Sequence, residues 1–419
     1  MPNSTDHQYD YDVIIIGGGL VGAGLACAIG NLKHSNGKLL RIAIIEAIPF
    51  RDPAQPSYDD RNIALSQASH RIFTTLGLWS DISQAATPIE SIYVSNHGHF
   101  GAARLYAKDF KVDALGYVAQ TRAIGEAFKS KLSTFDNIEL ICPASITHLT
   151  TDDNSAIVTI NQNNQDKTLR CSLAVGADGA KSKTRELLGI RANGHDHGQT
   201  AIVANVTPEK PHQNAAYERF TDSGPLALLP ISEQRCALVY TVWHDEVEEI
   251  VNLSDQAFIE RLSQRFGDRL GCFLKVGKRV SYPLALNRAE KTITDRALLI
   301  GNAANSLHPV AGQGFNLGVR DIAVLAETIS DALAKQRDIG EQQSLTHFQQ
   351  WRKGDQQRII GFTEGLVSVF SNPLDSVKLM RNMALVGVDL LPPIKKLLAR
   401  QTMGIAGKQP RLARGISLV

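Results

Sequence analysis

From Val13 to Gly30 the chain reads VIIIGGGLVGAGLACAIG, eighteen residues without a charge. Val13 to Ile16 has the unbroken apolar character of a strand buried on both faces, and the residues after the glycines are small enough for a close-packed helix. Eighteen uncharged residues also match a short membrane span, but six glycines in the run argue against one. Gly17, Gly19 and Gly22 have the spacing that turns a chain tightly, brings its backbone against a pyrophosphate and packs helix on strand. Ala26 continues the small face. A second apolar strand, RIAIIEA from Arg41 to Ala47, carries Glu46 at its end. An acid there accepts from ribose hydroxyls and disfavours a phosphate at that position. Strand, glycine turn, helix and acid-tipped strand together specify an α/β dinucleotide cradle.

Later apolar strands read as sequence-distant pieces of the same sheet: NIELIC near Ile138, AIVTI near Val158, SLAVGADG ending at Gly179 and RALLIGNAA ending at Ala304. Between Ala144 and Ala177 the pattern is an antiparallel ribbon turning at Asn163-Asn164 and covering the sheet. TAIVANV, GPLALLPI and RCALVYTVW, between Gly194 and Leu286, predict a separate sheet with one amphipathic helix from Ser254 to Phe266. SIYVS near Tyr93 and the segment through Leu105 are expected to join it. After Phe315 helices are expected, with breaks at Gly340 and Asn372-Pro373 and a stop at Pro392-Pro393. The expected division has residues 1–85, 117–193 and 287–345 as three parts of the cofactor domain. Residues 86–116 and 194–286 form the substrate sheet, and 346–419 a C-terminal helical region with a basic tail.

A net charge of +2 gives no footprint for nucleic acid. The charge is uneven, however: no acid follows Asp389, whereas Lys395, Lys396, Arg400, Lys408, Arg411 and Arg414 do. Five cysteines, odd in number and without a CxxC pair, suit a reducing compartment and are read as core residues. The histidine pairs His97/His99 and His195/His197 lack the partners of a metal set, so no metal is expected. Neither a GxSxG elbow nor an HExxH helix is present, which leaves hydrolysis without apparatus. No positively charged leader precedes the apolar run, and a cytoplasmic protein is expected.

Two further glycine turns occur at strand ends, GADGAKSKTR from Gly176 to Arg185 and IGNAANSLHPVAGQGFNLG from Ile300 to Gly318. With the first cradle they make the chain resemble, over nearly its whole length, the flavin-dependent aromatic hydroxylases of the para-hydroxybenzoate hydroxylase type. DDRNIALS (Asp59 to Ser66) and HPVAGQGFNLGVRD (His308 to Asp321) bring it nearest to the ubiquinone-biosynthesis ring hydroxylases. Asn302 and Asn305 stand where that family usually has an acid and a histidine. Gly-Asn at that place resembles the 2-octaprenyl-6-methoxyphenol hydroxylase branch. The resemblance implies a Rossmann-like, three-layer FAD-binding domain with an inserted, mainly antiparallel β-sheet substrate domain and C-terminal helices. Its cofactor contacts carry over to Gly17, Gly19, Gly22, Glu46, Arg61, Arg122, Asp178, Asn302, Gly312, Gln313, Gly314, Phe315 and Asn316. Asp178 has the alternative of capping a helix. His308 is the one weak candidate for a base, and Pro309 for a wall beside the flavin.

Physical reasons support the glycine turn before Phe315. Gly312 and Gly314 bare backbone N–H groups where a helix begins, an anion site suited to the negative charge of a reduced flavin. The implied reaction uses FAD, dioxygen and NAD(P)H or another external donor; with no second GxGxxG cradle in the sequence, any nicotinamide is expected to bind transiently and not in a domain of its own. A flavin C4a-hydroperoxide would hydroxylate the ring of a polyprenylated methoxyphenol. Such a substrate demands a membrane surface, at the inner membrane, or a protein of a quinone-synthesis complex. Val377, Met380, Met383, Ala384, Gly387, Leu390 and Leu391 recur near helical spacing and offer either a docking face or ordinary core packing. Two rival readings are an FAD-dependent isoprenoid reductase or cyclase, and a non-catalytic flavoprotein scaffold.

Overall fold

The computed structural model describes residues 9–49, 61–306, 313–370 and 375–419. Strand Tyr11–Ile16 lies at the centre of an eight-stranded sheet, as its continuous apolar run requires. It is paired in parallel with Ile42–Ile45 on one side and with the second half of Gln165–Gly176 on the other. Ile138–Ile141 extends one flank, and Ala297–Leu299 with the short edge Ile293–Thr294 extends the other. Val13 and Ile15 pack beneath the helices Leu20–Ile29, Thr121–Leu132 and Gln313–Ala334, while Ile14 and Ile16 face Ile146, Val158 and Leu169 of the ribbon. Side chains alternating across one strand therefore produce three layers.

The first half of Gln165–Gly176 pairs antiparallel with Ala156–Gln162, which pairs in turn with Ser145–Thr151. Asn163 and Asn164 join the hairpin with φ of 53° and 61°. Two left-handed residues match the twist of a two-residue hairpin, and asparagine tolerates that conformation. The expected ribbon and its turn are both present.

A nine-stranded sheet forms the second body. Ala192–Pro208 is its longest strand, bordered by Val280–Ala289 and Cys236–Trp243, and the order continues through Gly224–Pro230 and Ala215–Thr221. Ser91–Asn96 then pairs in parallel with Ala215–Thr221 and carries Ala102–Tyr106 at the edge, so the early segments join this sheet. Ala86–Ile89 does not: it pairs with Gly116–Gln120 in a small sheet with Asn62–Ser66, where Pro88 occupies an edge strand. Ile202, Leu226, Leu228, Leu238 and Tyr240 pack against Phe258, Leu262 and Phe266 of helix Asp255–Phe266. Ser254 caps that helix by accepting the Ala257 N–H. The intervening residues point to the opposite face, which is also apolar.

Beyond the long helices Gln313–Ala334 and Gln342–Phe370, separated around Gly340, come Asp375–Leu390 and Pro392–Thr402. The expected break at Asn372-Pro373 lies outside the described residues. Helix Asp375–Leu390 ends just ahead of Pro392-Pro393, where a stop is expected, and the two prolines also open the next helix, occupying its first positions, where a missing N–H costs nothing. The expectation of five core cysteines is also corrected. Cys27, Cys171 and Cys236 are buried, Cys142 is half-buried, and Cys272 is exposed where the chain turns through left-handed Gly271 ahead of strand Phe273–Val276. Among the described residues no helix is long and apolar enough to cross a membrane.

Candidate active site

At the first cradle Gly17 has φ of +103°, and a Cβ there would lie 2.6 Å from the Ala177 carbonyl oxygen. A Cβ on Gly22 would fall 1.9 Å from the Gly17 oxygen. Neither position admits a side chain, and this lets the turn, the neighbouring strand end and the helix Leu20–Ile29 close on one another. Gly19 caps that helix in an extended conformation without a side-chain partner. Its first-turn N–H groups are left for an anion. Glu46 is buried, with Oε2 accepting the Gly18 N–H at 2.6 Å and Oε1 the Ile48 N–H at 2.8 Å. Its carboxylate thus braces the glycine loop and keeps lone pairs for a ribose hydroxyl.

Asp178 follows the adjoining strand end. Its carboxylate accepts from Ser182 Oγ, from the Thr184 N–H at 2.8 Å and from Thr184 Oγ1 at 2.9 Å. Those contacts fasten the start of helix Lys183–Leu187, whose cap is Ser182 itself. Ala177 and Gly179 on either side of Asp178 reach the central cavity.

The Gly301–Ala303 turn is held from behind. The Gly301 N–H donates to Asp321 Oδ2 at 2.9 Å, and Asp321 Oδ1 accepts from Arg352 Nε at 2.6 Å. Asn302 is left exposed on the cavity side. Asn305 is buried in the edge strand Asn305–Ser306. Helix Gln313–Ala334 starts beside this turn, and Gly314, Phe315 and Asn316 line the same space. Among the described residues, a Cβ on Gly314 would meet no atom within 4 Å. The Asn316 side chain serves the protein: it accepts the Ser66 N–H and Ser69 Oγ, each at 2.7 Å, and donates to the Ala64 carbonyl at 2.8 Å. That leaves the backbone at the helix start to face an anion. His308, Pro309 and Gly312 lie outside the described residues, and Gln313 is described only as the first helical position.

Arg61 reaches the cavity with its guanidinium over the Tyr282 ring, 5.1 Å from the centroid. Arg122 is exposed in the first turn of Thr121–Leu132 and is not part of the described cavity lining. The glycine turns and helix starts therefore converge, together with Arg61, at one end of a cavity of about 1100 Å³. From there it runs along the inner face of the nine-stranded sheet, past Ile92, Val94, Leu105, Val203, Leu229 and Val239. Leu385 and Val388 of one C-terminal helix and Leu398 of the next close the far wall.

Sequence reasoning missed Glu218. It lies in strand Ala215–Thr221 and is the one acid among the described lining residues. Its alternation with Ala216 and Phe220 places it on the cavity face, a period-2 signal that could have found it once the inner face was known. Also missed was the buried group Asp321, Arg352, Asp355 and Arg320 behind the Gly301 turn.

The donor set fits FAD: two glycine positions that exclude a Cβ, an uncapped helix start, a ribose-facing acid, and a second helix start open toward the cavity. An FAD-binding domain family model matches residues 10–359. Ubiquinone hydroxylase UbiL of Rhodospirillum rubrum is 35% identical, with 97% of this chain and 93% of that protein covered. Ubiquinone hydroxylase UbiM of Neisseria meningitidis is 30% identical over 94% of this chain and 84% of its own length. The crystal structure of p-nitrophenol 4-monooxygenase PnpA from Pseudomonas putida superposes with a TM-score of 0.75 at 17% identity, over 95% of this chain and 98% of that one, and shows the same fold. The chain belongs to the FAD-binding domain family and, within it, stands with the FAD-dependent hydroxylases.

Proposed function

We propose that the protein inserts one oxygen atom of dioxygen into the aromatic ring of a prenylated phenol during ubiquinone synthesis. One observation carries this reading: a single cavity joins the dinucleotide-binding turns to a long apolar face of the second sheet. Bound FAD would supply reduction by NAD(P)H or another donor and the activation of dioxygen. The backbone at the Gly314 helix start offsets negative charge developing at that end of the cavity. Ile92, Val94, Leu105, Val203 and Leu229 exclude water and hold an apolar chain. Glu218 is the group placed to take the phenol proton, which makes the ring a better nucleophile toward electrophilic oxygen.

The names of UbiL and UbiM support the pathway, and the apolar wall supports a substrate with a hydrocarbon tail. To test it, the purified flavoprotein is reduced without air and then mixed with isotopically heavy dioxygen and a prenylated methoxyphenol. The expected product carries one heavy oxygen on its ring. Reoxidation without oxygenated product, across related phenols and with membranes supplied, refutes the reading in favour of a reductase or scaffold.

A further inference from the structure

The helix pair that closes the far wall of the cavity has an unusual outer side. Met380 and Leu390 are each 71% exposed, Leu397 is 69% exposed, and Met383, Leu391 and Ile394 are exposed with them. Their inner counterparts are Asn382 and Leu385, both buried. Apolar residues thus recur at helical spacing on the side facing away from the protein, and exposed Lys396 and Arg400 flank them.

Beside Leu390 lies a separate pocket of about 380 Å³, between the helix Asp375–Leu390 and the edge of the nine-stranded sheet. Arg219 and Arg269 both line it. Among the described residues neither is paired with an acid; Arg269 instead lies over the Tyr93 ring at 5.0 Å. Burial and the neighbouring Arg269 charge both push the Arg219 guanidinium below its ordinary value. Asp389 is the acid of the pocket, and it is already held by Arg104 at 3.0 Å and by Lys395 at 3.6 Å. Two adjacent cations that no described acid pairs, in a pocket whose one acid is taken up by Arg104 and Lys395 and which borders an exposed apolar ridge, have the charge and shape complementary to a lipid phosphate above acyl chains.

We infer that the Arg219–Arg269 pocket seats the phosphate of an anionic phospholipid while Met383, Leu390 and Leu397 enter the bilayer beside it. The helices whose inner side walls the substrate cavity then dock on the membrane, which gives a bilayer-borne substrate a short path inward. The purpose of the site rests on the prenylated-substrate reading, but its occupancy is measured without turnover.

The test is flotation of the holoenzyme with phosphatidylcholine vesicles, with and without phosphatidylglycerol. Wild type is expected to float with the anionic vesicles. The double variant Arg219→Gln/Arg269→Gln should bind them about 30-fold more weakly, from two charges near the surface, and Arg219→Lys/Arg269→Lys should recover most of that loss. Met383→Ser/Leu390→Ser, changed only at exposed positions, should weaken flotation with flavin content unchanged. Absence of flotation on anionic vesicles overturns the inference, as does flotation indifferent to the arginine pair. Sedimentation showing the ridge buried between two copies of the chain overturns it too. Failure to hydroxylate a soluble short-chain phenol while vesicle binding persists removes the proposed reaction and leaves the docking site standing.

Discussion

Replacing Arg352 with methionine removes a charge from the most enclosed ionic group described in the protein, while leaving a side chain able to fill the space. Arg352 and Asp321 each expose 1% of their side chains, and Asp355 exposes 4%. In the variant Asp355 keeps the Arg320 ion pair at 2.7 Å and its contact with Arg358. Asp321 keeps only the Gly301 N–H among its described partners. A stranded buried carboxylate costs about 3–5 kcal/mol. With an unfolding entropy of about 2.1 cal/mol/K per residue, the whole chain loses about 3–6 °C in Tm. Adding Asp321→Asn removes the stranded charge yet retains an acceptor for Gly301, so the double variant should recover part of the loss. Calorimetry of the single and double variants, with flavin content measured alongside, tests both statements. A loss below about 1 kcal/mol in the single variant, or no recovery in the double, refutes the claim that Arg352 neutralises Asp321 behind the Gly301 turn.

Gly22→Ala should abolish flavin retention, because its Cβ would overlap the Gly17 carbonyl at 1.9 Å; visible absorbance of the purified protein reports it. Gly314→Asp should leave the fold as stable as wild type, since no described atom lies within 4 Å of the new Cβ, yet deplete flavin and turnover by placing a carboxylate at the anion site. Normal flavin content and turnover in that variant refute the role given to the helix start. Glu218→Gln should lower kcat by about 10²-fold, whereas an unchanged kcat assigns the proton elsewhere. The Asp12 hydrogen bond raises the pKa of His34 above its ordinary 6.5, against a smaller desolvation effect. Its stabilising contribution is therefore full below about pH 6.5 and lost as pH rises through the folded-state value. With the pair partly exposed this amounts to a few tenths of a kcal/mol, seen as a Tm gap between wild type and His34→Gln that closes on the alkaline side. Burial pushes the thiols of Cys27, Cys171 and Cys236 up to about 12, so native protein should be alkylated first at exposed Cys272, as peptide mapping would show.

The dinucleotide cradle was legible because its chemistry is local. Glycines that must exclude a Cβ, an apolar strand and an acid at the next strand end lie within 34 residues, Val13 to Glu46, and their spacing carries the geometry. The ribbon was legible for the same reason, through Asn163-Asn164 between alternating strands. Glu218 was hidden because alternation reveals two faces of a strand without saying which one bounds the cavity; here both faces are apolar, one packed on helix Asp255–Phe266 and the other on open space. Arg320, Asp321, Arg352 and Asp355 were hidden more deeply. Charged residues at i and i+3 on a helix usually mark a solvated face, and only the approach of helix Gln342–Phe370 to helix Gln313–Ala334 turns them inward. The C-terminal helices posed the reverse problem, since an apolar periodicity of that kind normally means a core. Met380 and Leu390 face outward because Asn382 and Leu385 occupy the inner side, so Met380, Met383, Leu390 and Leu391, for which the sequence leaves docking face and core packing both open, are surface in the fold. A helix with so apolar an outer face has not been stabilised by that face's burial among the described residues, and the free energy of covering it is still available to a bilayer.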